Sequence, residues 1–142
     1  MAVIWGSEYS RQNQKDFEER KKVVQLILEN AEDKNPANEY GITPLHYAAK
    51  AHGKQTEIVE LILKNVTNKS PACYVEGSTP LHLAAGKGFV QMCKILAQNL
   101  PLGHRNPRDF EGRTPCDYTI ENHRRGDISL DTLDQIKALC ET

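Results

Sequence analysis

One short pattern occurs three times in the sequence at a nearly constant spacing. A Thr-Pro pair begins at Thr43, at Thr79 and at Thr114, so the three threonines lie 36 and 35 residues apart. A fixed period of this length is typical of proteins built from stacked units of supersecondary structure. The period therefore constrains the fold of the 142 residues more strongly than any other feature.

The second copy, Ser78 to Gly88, has the composition of a short helix with defined ends. Thr79 suits the N-cap because its hydroxyl can accept from an unpaired backbone N–H, and the proline after it has no N–H to lose. Gly88 suits the left-handed conformation that ends such a helix. Apolar residues from Val90 to Leu96 then predict a second helix that folds back on the first.

The pattern Thr-Pro-Leu-His-x-Ala-Ala is complete at residues 43–49 and 79–85, and each copy is followed by an apolar helix and a Gly-x-Thr-Pro restart. It closely resembles the ankyrin repeat, over most of the chain. The resemblance implies an all-α solenoid of stacked antiparallel helix pairs with projecting hairpin-like loops, which we call fingers. It also implies that His46 and His82 hydrogen-bond to the capping threonine and to the backbone of the next repeat.

The period divides a single domain, residues 1–142, into four segments. Residues 42–77 and 78–112 are predicted to be full repeats. Residues 113–142 are predicted to be a C-terminal capping repeat, because Cys and Asp replace the Leu and His of the motif and Ser129 suits the N-cap of a last helix with an apolar face from Leu130 to Cys140. Residues 1–41 are predicted to be an N-terminal capping repeat, with Asp16 to Asn30 as its second helix and Ala2 to Ser10 as a candidate for its first. The chain is expected to be a monomer, although an origin in a longer array stays open.

Turn chemistry predicts three connectors between repeats, at residues 34–41, 69–77 and 105–112. The resemblance implies that they form the first, second and third finger. The turn between the helices of the first full repeat, Lys50 to Thr56, is two residues longer than its counterpart. A longer turn is either a neutral insertion or a recognition feature.

Composition excludes some classes of partner and of site. A formal net charge of −1 gives no electrostatic reason to expect binding to nucleic acid or to an anionic membrane. The chain has no apolar run of transmembrane length and no signal peptide pattern at Met1 to Ser10, so a cytoplasmic protein is expected. The cysteines are scattered singly, which predicts neither disulfides nor a zinc site. Cys93 and Cys140 fall on apolar helix positions as small hydrophobic residues.

No phosphate-binding glycine loop, H-E-x-x-H or G-x-S-x-G motif is present, so the chain is predicted to have no enzymatic activity, no cofactor and no metal. An enzyme would need a pocket with perturbed ionisable groups. We predict a scaffold that binds a protein partner. The alternative is a segment of a larger array that acts as the targeting module of an adaptor, a ubiquitin ligase or a pathogen effector, including inhibitor-type binding of a Rel-like transcription factor.

In ankyrin arrays the concave face, built from finger tips and first helices, is where partners usually bind. The resemblance transfers this face to the chain by offset from each Thr-Pro pair. Tyr40, Val75 and Phe110 are predicted to form an apolar stripe across the fingers with a charged rim, as in a binding hot spot, or else to pack between the fingers as part of the scaffold. The candidate contact residues are Glu39, Tyr40, Ile42, Lys50, Ala51, Val75, Glu76, Ser78, Gly86, Lys87, Phe110, Glu111, Arg113, Glu121 and Asn122.

Overall fold

The computed structural model describes the backbone of residues 2–51 and 56–141, and the side chains from residue 11 onward within those ranges. Among these residues the regular structure is entirely helical, which confirms the predicted all-α class. The chain divides into two compact units, Met1–Glu32 and Asp33–Thr142. The helices are α1 (Ala2–Asn30), α2 (Pro44–Lys50), α3 (Thr56–Asn65), α4 (Pro80–Lys87), α5 (Val90–Gln98), α6 (Pro115–Arg124) and α7 (Leu130–Cys140).

The regular structure of the first unit is a single helix, α1, of 29 residues. A separate first helix over Ala2 to Ser10 was a candidate from the sequence, but α1 continues through this segment without a break. Residues 11–22 contain neither glycine nor proline and are rich in Gln, Lys, Glu and Arg, which are strong helix formers, so nothing ends the helix there. The helix pair expected in this region is therefore not formed, and a capping role for residues 1–41 stays a prediction.

In the second unit each first helix packs against the second helix of its own repeat. The first helices α2, α4 and α6 also pack on one another in chain order, and so do the second helices α3, α5 and α7. The apolar side chains between these helices are buried, and the large ones among them that are almost fully buried are Leu45, Val59, Leu63, Met92, Leu96 and Ile136. The stacked pairs predicted from the period are confirmed.

Helix α4 begins and ends as the sequence predicts, and α6 begins with the same cap. The Thr79 hydroxyl accepts from the N–H of His82 at 3.4 Å, and the Thr114 hydroxyl accepts from the N–H of Asp117 at 3.2 Å. Gly88 ends α4 with a φ of 73°, in the left-handed region that favours glycine. The turn from Lys50 to Thr56 includes residues 52–55, so its predicted length effect lies outside the described residues.

The last helix, α7, also begins at its predicted cap, because the Ser129 hydroxyl accepts from the N–H of Thr132 at 3.2 Å. Leu133 and Ile136 are buried as predicted. The sequence also predicts Leu130 on this buried face. That prediction is wrong, since the Leu130 side chain is 61% exposed. It is the first residue of α7 and lies before the turn of the helix that packs inward.

All four cysteines are free thiols. Cys93 is buried within α5, as the apolar pattern predicts. Cys140 is only half-buried because it is the last residue of α7.

Two second helices and α1 end in the same way. Asn30, Asn65 and Asn99 each donate from the side-chain amide to the backbone carbonyl four residues earlier, at 2.8 Å in every case. The same side-chain-to-backbone hydrogen bond therefore closes all three helices.

Candidate partner-binding face

Two buried histidines join successive repeats. His46 Nδ1 accepts from the N–H of Thr43 at 3.1 Å, and its Nε2 lies 3.0 Å from the carbonyl oxygen of Ser78 in the next repeat. His82 repeats the arrangement and reaches the carbonyl oxygen of Arg113 at 2.8 Å. Because Nδ1 accepts, the proton of the neutral ring lies on Nε2, which donates to the carbonyl. Burial lowers the pKa of both imidazoles, which keeps them neutral. The role implied by the resemblance is confirmed.

Each finger is closed by a backbone hydrogen bond of 2.9 to 3.0 Å that ends at the residue before the capping threonine. This pairing confirms the hairpin-like fingers. The second finger holds one residue more between its paired positions than the first and third do. The donor and acceptor pairs are Asn38 with Ile42, Cys73 with Ser78 and Asp109 with Arg113.

Backbone hydrogen bonds also connect neighbouring fingers. The N–H of Tyr74 in the second finger donates to the carbonyl of Tyr40 in the first at 2.8 Å. The N–H of Phe110 in the third finger donates to the carbonyl of Glu76 in the second, also at 2.8 Å. Tyr74 and Phe110 therefore hold equivalent positions, each directly after the first residue of the closing pair.

The side chains of these two residues cover glycines of the preceding finger. A Cβ atom added to Gly41 would lie 2.6 Å from the Tyr74 ring, and one added to Gly77 would lie 2.5 Å from the Phe110 ring. The predicted alignment of Tyr40, Val75 and Phe110 is wrong. The extra residue of the second finger makes Tyr74 the equivalent of Phe110 in place of Val75. Tyr40 lies only three residues before its capping threonine and is equivalent to Glu76, the residue before the glycine. Phe110 packs between fingers with one face of its ring and is still 67% exposed overall.

The third finger is fixed to α6 through the buried carboxylate of Asp109. Its Oδ2 accepts from the hydroxyl of Tyr118 at 2.7 Å and from Nε of Arg113 at 2.9 Å, while Oδ1 accepts from the N–H groups of Glu111 and Arg113. Burial alone raises the pKa of the Asp109 carboxyl, but the Tyr118 hydroxyl and the backbone donors together lower it to about 2. Burial and the same hydrogen bond raise the pKa of Tyr118.

Asn38 and Cys73 hold the corresponding place in the other two fingers. The side-chain oxygen of Asn38 accepts from the N–H groups of Tyr40 and Ile42 at 2.9 and 3.0 Å. The Sγ of Cys73 lies 3.3 Å from the hydroxyl of Ser78. Ser78 is only 4% exposed, so its prediction as a partner-contact residue is wrong.

Residues from two fingers and two first helices meet in one cleft. Four predicted contact residues line a cavity of about 520 Å³ together with Tyr118, and they are Glu76, Arg113, Glu121 and Asn122. An adjacent groove of about 370 Å³ is also lined by Tyr118 and Asn122, and it adds Leu83 and the predicted residues Gly86 and Lys87. The two cavities therefore form one continuous surface across the second and third copies of the motif.

The remaining predicted residues lie outside this cleft. Glu39 and Tyr40 lie in the first finger, Ile42 closes that finger, and Lys50 and Ala51 lie at the last residue and the C-cap of α2. Lys50 stands with its Nζ 5.2 Å from the centre of the Tyr47 ring. The exposed ones are Glu39, Tyr40, Lys50, Val75, Phe110 and Glu111, and the half-buried ones are Ile42 and Ala51.

Sequence reasoning missed a row of side chains on the first helices. Tyr47, Leu83 and Tyr118 are each the fourth residue after a capping threonine, at the variable position of the motif. Tyr47 is 52% exposed, and the other two are half-buried at the cleft. The guanidinium of Arg113 lies 5.2 Å from the Tyr118 ring centre, as Lys50 does from Tyr47. The equal offset in each copy was the available signal. We call the surface formed by α2, α4, α6 and the three fingers the helix-finger face.

A family model described as ankyrin repeats, in three copies, matches residues 51–130. The chain belongs to the ankyrin repeat family, which confirms the resemblance drawn from its motifs. Ankyrin repeats are generally protein–protein interaction modules and are typically non-enzymatic. The search of curated proteins found no match to the chain. Within the described ranges, no helix has both the length and the apolar character needed to cross a membrane.

Proposed function

We propose that the chain is a non-enzymatic scaffold that holds a protein partner against its helix-finger face, the concave face of the ankyrin prediction. The observation that carries the proposal is the cleft in which Glu76 and Arg113 of the fingers meet Tyr118 and Glu121 of α6. Aromatic anchors surrounded by charged side chains are the composition of protein-binding hot spots.

The row of Tyr47, Leu83 and Tyr118 supplies the anchors. Tyrosine offers a large contact area and loses little conformational entropy when it is fixed. Tyr118 is already held by its hydrogen bond to Asp109, so the binding surface is pre-organised and less entropy is lost on binding. Lys87 and Arg113 beside this row favour a partner that presents an apolar strip with some acidic character.

The shifted ionisable groups near the cleft support binding rather than catalysis. Asp109 and Tyr118 are the groups there with the most perturbed pKa values, and they are hydrogen-bonded to each other. A buried carboxylate that already accepts hydrogen bonds from Tyr118, Glu111 and Arg113 is a structural acceptor and a poor general base.

The proposal is tested by capturing a partner on the immobilised chain, identifying it by mass spectrometry, and measuring its affinity by calorimetry. Tyr47→Ala should weaken binding by more than about 1 kcal/mol, because a half-exposed ring can be an anchor without supporting the fold. Lys94→Ala, an exposed position on the second helix α5, is the matched control and should keep full affinity. If Lys94→Ala weakens binding and folded Tyr47→Ala does not, the partner binds elsewhere.

A further inference from the structure

The contact between neighbouring fingers has two parts, and it occurs twice. An aromatic residue donates its backbone N–H to a carbonyl of the preceding finger, and its ring covers the glycine that follows that carbonyl. Tyr74 does this on the Tyr40 carbonyl and Gly41. Phe110 does it on the Glu76 carbonyl and the next glycine, Gly77.

The third finger has the same two features, and no residue in the described ranges covers them. Gly112 has a φ of 77°, close to the 74° of Gly41 and the 73° of Gly77. A Cβ atom added to Gly112 would meet nothing within 4 Å, whereas the other two glycines are covered by rings. Among the described residues, none donates a hydrogen bond to the carbonyl of Glu111, which corresponds to the accepting carbonyls of Tyr40 and Glu76.

We infer that the third finger binds an extended segment of the protein partner that carries a phenylalanine or tyrosine. The N–H of that aromatic residue donates to the carbonyl of Glu111, and its ring lies on Gly112. Extended peptides commonly add to an exposed backbone edge in this manner, with main-chain hydrogen bonds for affinity and a side-chain contact for specificity. This inference rests on the proposed function, since it names a recognition element of the same partner.

The third finger is already held in the conformation that the other fingers have when they are occupied. The guanidinium of Arg108 donates to the carbonyl of Gly112 at 2.8 Å. The Asp109 carboxylate accepts from the N–H groups of Glu111 and Arg113 and fixes the turn between them. A docking edge that is ordered before binding loses little entropy when a segment is added.

A second copy of this chain, stacked head to tail, fits the site poorly. Such a copy would present its first finger, in which Glu39 holds the position of Tyr74 and Phe110. A glutamate has no ring to cover Gly112, and it would bring a carboxylate close to Glu111. The two occupied copies of the contact both use an aromatic ring, and this favours an aromatic residue of a partner.

The first test uses the full chain labelled with ¹⁵N and a synthetic peptide with the chain's own sequence from 105 to 113, which contains Phe110. A second peptide with Phe110→Ala is the control. The phenylalanine peptide should shift the amide signals of Glu111 to Arg113 and saturate with a Kd on the order of 1 mM, and the alanine peptide should bind at least about tenfold more weakly. Equal shifts with both peptides, shifts confined to other fingers, or no shifts overturn the inference.

The second test blocks the site. Gly112→Asn keeps a residue that tolerates positive φ and places a side chain where the ring would lie. Gly103→Asn is the matched control, because Gly103 also has a positive φ, 90°, and open space around it, outside the fingers. Gly112→Asn should lower the affinity for the phenylalanine peptide at least about tenfold, and Gly103→Asn should leave that affinity unchanged. Unchanged binding to Gly112→Asn overturns the inference, and the peptide comparison stands without any variant.

The captured partner separates this inference from the proposed function. If the partner binds Gly112→Asn at full affinity but loses affinity for Tyr47→Ala, the finger inference fails and the helix-finger face stands. If Gly112→Asn alone weakens the partner, docking on the third finger holds and the row on the first helices is not the anchor.

Discussion

The second and third copies of the Thr-Pro motif both begin with a threonine N-cap. They differ in the hydrogen bonds made by the residue three positions after that threonine. His82 accepts from the N–H of Thr79 through Nδ1 and reaches the carbonyl of Arg113 through Nε2. Asp117, at the same offset, accepts from the N–H of Thr114 at 2.8 Å. An ionised carboxylate can only accept, so it completes the cap but cannot donate to a carbonyl beyond it. The residue at this offset thus decides whether the cap side chain itself also hydrogen-bonds to the following copy.

The neighbouring position shows the same contrast. Leu81 is 3% exposed, between the helices of the stack, whereas its counterpart Cys116 is half-buried. The first helix of the second copy, α4, packs between the first helices α2 and α6. The first helix of the third copy, α6, packs against α4 and against its own second helix, α7. We therefore expect equal substitutions in the two copies to have unequal effects.

The largest difference is expected for truncation of the apolar residue. Leu81→Ala should lower the free energy of unfolding by about 2 to 5 kcal/mol, because it leaves a cavity between repeats. Cys116→Ala should cost about 1 kcal/mol or less, since the side chain is smaller and partly exposed. Reversible urea denaturation measures both. An equal cost for the two variants would show that the third copy is as deeply packed as the second.

The next difference concerns the linking histidine. His82→Ala should cost about 1 to 3 kcal/mol, because the buried N–H of Thr79 loses its acceptor and the carbonyl of Arg113 keeps only the N–H of Asp109 as a donor. Asp117→Ala should cost less, at the level of about 1 kcal/mol for a lost cap at an exposed position. The same denaturation assay compares them. A larger loss for Asp117→Ala would contradict the role given to the histidine.

The smallest effect is a dependence of the chain's stability on pH, which we expect from His46 and His82 in the first two copies of the motif. Burial lowers the folded-state pKa of His46 and His82, while the unfolded imidazoles titrate near about 6.5. The unfolded chain then binds more protons, so stability is complete above about pH 6.5 and falls as the pH drops below it. Asp109, with a pKa of about 2, stays ionised throughout this range.

Urea denaturation at about pH 7.5 and about pH 5.5 measures this dependence. The wild-type chain should be less stable at the lower pH, and His82→Ala should show a smaller drop because the contribution of this imidazole is lost. A wild-type chain that gains stability on acidification, or a drop unchanged in His82→Ala, would contradict neutral buried imidazoles.

Local chemistry made part of this structure predictable. The start of α4 is favoured by Thr79 and Pro80, and its end is favoured by Gly88. The bounds of α4 therefore follow from the sequence. The continuity of α1 was also readable, because residues 11–22 hold no helix-breaking residue. The family match follows from the same repeated residues.

The positions of the finger residues could not be predicted in the same way. Whether Tyr74 or Val75 corresponds to Phe110 depends on which N–H pairs with the carbonyl of Tyr40, and that pairing joins residues 34 positions apart. Counting back from the capping threonine makes Val75 the equivalent of Phe110. The closing pair of the second finger encloses one extra residue, so the true equivalent is Tyr74. Burial of Ser78 likewise depends on packing by the preceding repeat, which supplies His46 to its carbonyl.

Hydrogen exchange of the chain with and without its captured partner, read by mass spectrometry, tests most directly whether the partner lies on the helix-finger face. Slower exchange is predicted in the three fingers and in the first helices α2, α4 and α6, with α3, α5 and α7 unchanged. Protection confined to the second helices α3, α5 and α7, with the fingers and first helices exchanging as in the free chain, would contradict the account.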